Sequence, residues 1–263
     1  MTARTYVATA LPPPVMAVSV ARTDVGMVRA SNEDSFLVRD DAGLWVVADG
    51  MGGHQSGALA SSLVVGALAE LPEFTSGYGL LKAVRETLAK VNGDLSRRGA
   101  SLETGGVIGS TVATLLISEA HFACVWAGDS RIYRLRGGAL QRLTHDHSVI
   151  QELIDRGELT PAEAAVDRRS NIITRAIGAR EELELDVAHG SVEAGDRFLL
   201  CSDGLTGAVP DRELLALMSF RVMDHAADAL LDRALERGAT DNVTLVLVEW
   251  SQGETESFAS GDA

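Results

Sequence analysis

Eight apolar runs of strand length constrain this chain more than any other feature: VMAVSV (15–20), SFLVRD (35–40), LWVVAD (44–49), STVATLLI (110–117), HFACVWAGD (121–129), RIYRLR (131–136), RFLLCSD (197–203) and NVTLVLVEW (242–250). They are enriched in β-branched residues and bounded by Gly, Asp or Asn, so they read as strands. Two pairs read as hairpins. SFLVRD and LWVVAD are joined by Asp41, Ala42 and Gly43, and RIYRLR and ALQRLT by Gly137 and Gly138. Helical spacing appears at 56–71, 78–99, 211–218 and 222–238. In the last of these, Met223, Ala226, Ala227, Leu230, Leu231, Ala234 and Leu235 share one face and are expected in the core. Strands that meander while helices come in consecutive pairs predict a layered α+β sandwich instead of an alternating, wound parallel sheet. The stretch from 145 to about 178 is the least regular and is expected to cross one end of the sandwich.

With 263 residues, 46% of them hydrophobic, and no Pro/Ser-rich linker inside, the chain is expected to form a single domain over 16–250. The triple proline at 12–14 and the tail SQGETESFASGDA mark residues 1–15 and 251–263 as disordered ends. No signal peptide or 18-residue apolar span is evident, which makes the cytoplasm the expected location and a membrane an unexpected partner. The formal net charge of −14 opposes approach to nucleic-acid phosphates, so nucleic acid is not an expected partner either. Cys124 and Cys201 lie within apolar runs, where a thiol behaves as a small hydrophobe.

The strand boundaries carry the chemistry. LWVVAD ends at Asp49, FACVWAGD at Asp129 and FLLCSD at Asp203; Asp241 opens the last strand, and Glu33 and Asp34 precede the second. One Asp at a turn is ordinary, because Asp and Gly make turns. Five such sites are different. If several lie at one edge of the sandwich, their carboxylates repel one another unless cations neutralise them. Aspartate oxygens without a Cys or His cluster suit hard divalent cations such as Mg²⁺ or Mn²⁺, and two such ions can serve an in-line phosphoryl displacement. A glycine beside Asp49 would let its own carbonyl reach an ion.

RASNED (29–34), ADGMGGH (48–54), GST (109–111), GDSRIY (128–133), SDGL (202–205) and TDN (240–242), in this order, resemble the bacterial branch of the metal-dependent PP2C (PPM) protein serine/threonine phosphatases. The resemblance runs from about residue 18 to 249. It implies an α-β-β-α sandwich of two central antiparallel sheets flanked by helix pairs. It also implies two Mn²⁺ or Mg²⁺ ions bridged by Asp49, one also held by the Gly50 carbonyl and the other by Asp203 and Asp241, with Asp129 and Asp203 holding a third. Glu33 and Asp34 would orient metal-bound waters, and Arg29 would bind phosphate with its planar fork. The implied reaction is direct attack of a metal-bridging hydroxide on phosphorus in phosphoserine or phosphothreonine. The implied partners are phosphoproteins, including a bacterial Ser/Thr kinase and its targets, met by a monomer.

Competing phosphate chemistries fail on spacing. A cysteine-dependent phosphatase needs Arg six residues after its nucleophile, where this chain has Gly207 after Cys201 and Ser130 after Cys124. The glycine turn matches neither the Walker pattern nor GxGxxG, since Gln55 stands where the last glycine belongs. Met51 occupies the position at which the eukaryotic branch carries a candidate general-acid histidine, and His54 reads as a helix-start residue, so the general acid stays unassigned. His145 and His147 lack a third ligand and read as a polar loop entry. By the same resemblance, 145–178 is the family's flap beside the active site. Its Arg168, Arg169 and Arg175 could meet phosphate or form a solvated face, with the solvated reading preferred.

Overall fold

A computed structural model describes residues 15–52, 56–74, 76–101, 106–164, 167, 169 and 171–252. His54, Arg168, most of the N-terminal stretch and most of the tail lie outside the described residues. The first part runs β1 (Val15–Asp24), β2 (Asp34–Arg39), β3 (Leu44–Met51), α1 (Ser56–Ala69) and α2 (Gly77–Ala100). Then follow β4 (Gly109–Ser110), β5 (Val112–Ser118), β6 (His121–Ala127), β7 (Arg131–Arg136), β8 (Ala139–Arg142), α3 (Val149–Asp155) and α4 (Pro161–Ala164). The remainder is β9 (Asp186–Ser191), β10 (Arg197–Cys201), α5 (Asp203–Ala208), α6 (Asp211–Met218), α7 (Met223–Glu236) and β11 (Val243–Gln252).

The strands form two antiparallel sheets, ordered β1-β11-β10-β7-β8 and β2-β3-β5-β6-β9, with β4 added to β3. Both expected hairpins form, and Gly137 and Gly138 turn the second with positive φ at both positions, as a tight two-residue hairpin requires.

The layering follows from side chains alternating across each strand. Along β3, Trp45 and Val47 join Phe198, Leu200, Val246 and Val248 in the core between the sheets, while Leu44, Val46 and Ala48 face Val64, Leu68, Val84 and Leu88 of α1 and α2. Along β11, Val246 and Val248 face inward and Leu245 and Leu247 meet Leu214, Ala226 and Leu230 of α6 and α7. Strands covered on both faces need apolar residues at consecutive positions, which is why these runs stood out. Each buried Leu or Val contributes about 1.5–3 kcal/mol relative to exposure. The result is the expected α-β-β-α sandwich. Of the seven α7 residues named above, Ala226, Ala227, Leu230 and Ala234 are buried, and the other three are half-buried. Both cysteines are free and buried.

β9 and the short helices α3, α4 and α5 escaped the sequence reading. DVAHGS has no apolar run because β9 is a sheet edge with its outward residues exposed, and polar edges are how sheets avoid pairing with other chains. The helices α3 and α5 have only 7 and 6 residues, too short for helical periodicity to show. No helix among the described residues is long and apolar enough to cross a membrane.

Candidate active site

The C-terminal end of β3 lies at the floor of a cavity of about 390 Å³ that collects residues from seven separate segments. Its lining includes Arg29 and Glu33 from the β1–β2 connection, Asp49 and Gly50 from β3, and Asp129 from the β6–β7 turn. Asp203, which opens α5, and Asp241, which precedes β11, complete the acidic floor. Asp34 stands directly opposite Asp49 in the β2–β3 ladder, so two like charges occupy facing positions. The structure therefore brings together every site residue the sequence nominated. From the irregular excursion come Asn171 and Ile173, which places that segment over the cavity.

Local bonds hold this floor in place. Thr111 grips Asp49 through both backbone groups: its amide donates to Asp49 O at 2.8 Å, and its hydroxyl accepts from Asp49 N at 3.0 Å. The same hydroxyl bonds Ser130 Oγ at 2.7 Å, tying β3 to the turn that carries Asp129. In that turn Gly128 has φ +111°, and a Cβ there would lie 2.6 Å from the Thr111 methyl, so only glycine lets the loop close. Asn242 fixes the loop that carries Glu33, accepting from Glu33 N at 2.8 Å and donating to Val25 O and Ser31 O. The sequence signals for Thr111 and Asn242 were present in GST and TDN, but their bonds connect residues up to 217 positions apart.

The electrostatics are those of a site made for cations. Burial raises Asp34 to about 7, partly opposed by a hydrogen bond from Ser202. Burial, with Asp203 and Asp146 adding repulsion, raises Asp129 to about 8. Asp203 rises to about 6, through burial and then Asp241, and Asp49 rises well above the ordinary carboxylate range through burial and then Asp34. Buried Asp34 Oδ1 and Asp203 Oδ1 have no hydrogen-bond partner. Arg29 meets this charge from an exposed position, bonding Asp241 Oδ2 at 2.5 Å.

An oxygen-only donor set with orphaned carboxylate oxygens fits hard divalent ions. Among the described residues, no three acidic, thiol or imidazole side chains close around a single point. A backbone carbonyl beside these carboxylates would help to complete a ligand set. Gly50 answers that need: a Cβ there would lie 2.0 Å from Gly57 O and 2.7 Å from Glu33 O, so its backbone sits where no other residue fits.

The two histidines separate as expected of structural residues. His145 is exposed and bonds Asp155, whereas His147 is buried, stacks on Trp126 and accepts from Gly128 N through Nδ1 at 3.2 Å. That acceptor role leaves the proton on Nε2, 3.2 Å from Asp186 Oδ2, and burial lowers the His147 pKa. Arg169 and Arg175 are each paired with nearby carboxylates: Arg169 bonds Asp167, and Arg175 bonds Asp186 and Glu184.

A family model described as protein phosphatase 2C matches residues 28–238. The chain is 37% identical over 244 residues to the serine/threonine protein phosphatase PstP of Mycobacterium tuberculosis, covering 92% of this chain and 47% of that protein. The chain thus spans about half the length of that curated relative. Among solved structures, PppA, a key regulatory component of the T6SS in Pseudomonas aeruginosa, matches with a TM-score of 0.83 and 42% identity over 90% of this chain and 100% of the other. The catalytic domain of PstP in complex with two manganese ions matches with a TM-score of 0.79 and 35% identity, again over 90% and 100%.

Proposed function

This chain belongs to the protein phosphatase 2C family, and from that premise we propose that it is a metal-dependent phosphatase that removes phosphate from phosphoserine and phosphothreonine in proteins. The observation that carries the reading is the convergence of four aspartates and Glu33 on one cavity, with Arg29 bonded to one of the aspartates.

In this reading Asp49, the Gly50 carbonyl, Asp203 and Asp241 would hold two Mn²⁺ or Mg²⁺ ions, and Asp129 with Asp203 would hold a third. When bound, the ions supply an activated water for direct attack on phosphorus and stabilise the charge that develops there. Glu33 and Asp34 orient water at the floor, each held by its own tether: Glu33 through its amide on Asn242, Asp34 through Ser202. Arg29 stands at the mouth, where its guanidinium can exchange Asp241 for two oxygens of a phosphomonoester. The buried cysteines take no part, since burial raises both thiols far from the thiolate a nucleophile requires.

The proposal extends to a bacterial Ser/Thr kinase and its targets as phosphoprotein partners, a cytoplasmic location and a monomer; light scattering on the purified protein checks the last. The central test is phosphate release from a phosphothreonine peptide with Mn²⁺, with excess chelator, and with Asp203→Asn. Release that requires Mn²⁺ and vanishes in the variant supports the enzyme. A folded wild type that stays inactive with Mn²⁺ replaces it with a partner-binding protein.

A further inference from the structure

Ser202 occupies the N-cap of α5 with the extended backbone typical of caps, φ −74° and ψ 168°, yet its side chain makes no bond to the helix. A cap serine ordinarily accepts an amide hydrogen from the second or third residue of its helix. This one accepts from Thr244 N of β11 instead, at 3.0 Å. Ser202 N in turn donates to Thr244 O at 3.0 Å, so β11 holds the residue by both its backbone and its side chain.

A serine hydroxyl has one proton to donate. With Thr244 N–H occupying one side of the oxygen, the proton goes to Asp34 Oδ2 at 2.8 Å, because the alternative acceptor, Asn242 O, lies at the 3.5 Å limit of a bond. Ser202 is fully buried, so bulk water cannot replace it. Asp34 is anchored at Oδ2, while its buried Oδ1 has no partner. A carboxylate facing Asp49 across the ladder is pushed by like charge and free to turn about two side-chain bonds. A strong donor at one oxygen limits that freedom and helps to fix where the other oxygen points.

We propose that Ser202 is a positioning residue for Asp34: the chain Thr244–Ser202–Asp34 lets the β10–β11 sheet set the orientation of a carboxylate borne by the other sheet. The inference rests on the phosphatase reading only in taking Asp34 to serve the reaction and the metal site.

The test compares Ser202→Ala, Ser202→Gly, Asp34→Asn and the two double variants by Mn²⁺ affinity from calorimetry, kcat and KM on a phosphothreonine peptide, and Tm in chelator. Glycine is nearly as good a helix cap as serine, whereas alanine is not. A positioning role therefore predicts that Ala and Gly behave alike. Each lowers kcat about tenfold with KM within about twofold, weakens Mn²⁺ binding about tenfold, and adds nothing to Asp34→Asn. A near-normal Gly variant beside a damaged Ala variant would assign Ser202 to the cap and overturn the inference. Losses that multiply with those of Asp34→Asn would overturn it as well. Should Ser202→Ala fail to fold, the Gly variant and its double carry the same comparison. An inactive wild type would end the phosphatase reading alone, because the Mn²⁺-affinity cycle between Ser202 and Asp34 still decides this one.

Discussion

Where β10 begins, Asp196 is 1% exposed and its carboxylate takes hydrogen bonds from Arg136 Nε and Nη2 and from Glu193 N. Where β10 stops, Asp203 has an oxygen buried with no partner, among Asp34, Asp49 and Asp129, all driven above the ordinary carboxylate range. One strand thus joins two opposite treatments of the same side chain. Beside the second, Arg131 reaches Asp146 through three hydrogen bonds, so arginine was available locally and went to Asp146 instead of the cluster. The difference teaches how to tell a structural buried carboxylate from one kept for a ligand. The structural one carries its counter-charge within the fold, and the other waits for a cation from outside.

The sharpest way to break this comparison is to neutralise one aspartate at each end. Asp49→Asn should reduce Mn²⁺-dependent phosphate release at least about 10³-fold, on the order of 4 kcal/mol of transition-state stabilisation, yet raise Tm in chelator by removing repulsion. A lowered Tm there would mean that the cluster is not strained. At the other end, Asp196→Ala leaves Arg136 without its main partner and should cost about 3 kcal/mol in chemical denaturation, with peptide dephosphorylation within about twofold of wild type. Equal activity losses from both variants would erase the distinction.

A third experiment needs no substitution. Asp34, Asp129 and Asp203 have folded pKa values near 7, 8 and 6, all above the unfolded value, so the folded metal-free protein binds more protons than the unfolded one between about pH 4 and 8. Its stability therefore rises as pH falls through that window. His147, lowered by burial, works in the opposite direction only on the acid side, so the gain reads cleanly from pH 8 to 7, on the order of 1–2 kcal/mol. Saturating Mn²⁺ should flatten the slope, and an identical slope with and without Mn²⁺ would sink the idea that these carboxylates hold the ion.

The smallest effect concerns Arg29, whose guanidinium bonds Asp241. Arg29→Lys keeps the charge and loses the planar fork, so KM for a phosphothreonine peptide should rise about fivefold with Mn²⁺ affinity unchanged. A KM that does not move would reassign Arg29 to its bond with Asp241.

Much of this contrast was legible from residues alone. The aspartates at 49, 129, 203 and 241 announced themselves as carboxylates ending or opening apolar runs, and LWVVAD already read as a strand. Asp196 carried no such signal, since EAGDR reads as a turn whatever its carboxylate does. That Arg136 reaches it is a fact about β7 lying beside β10. His147 and Arg175 were read as loop entry and solvated charge, yet both bond Asp186, which β9, too polar to recognise as a strand, brings to them.

The sequence by itself determined the two-faced burial of the central strands, the pairing of helices and the placing of carboxylates at strand ends, because each depends on spacing along the chain and on side-chain polarity. Only the tertiary structure decided that Asp34 faces Asp49, that Arg29 meets Asp241 across 212 positions, and that Ser202 turns from its helix to Asp34. Those outcomes depend on register and on which strands become neighbours. Both are set by the free energy of closing long loops against packing two sheets face to face, a balance that no local stretch contains.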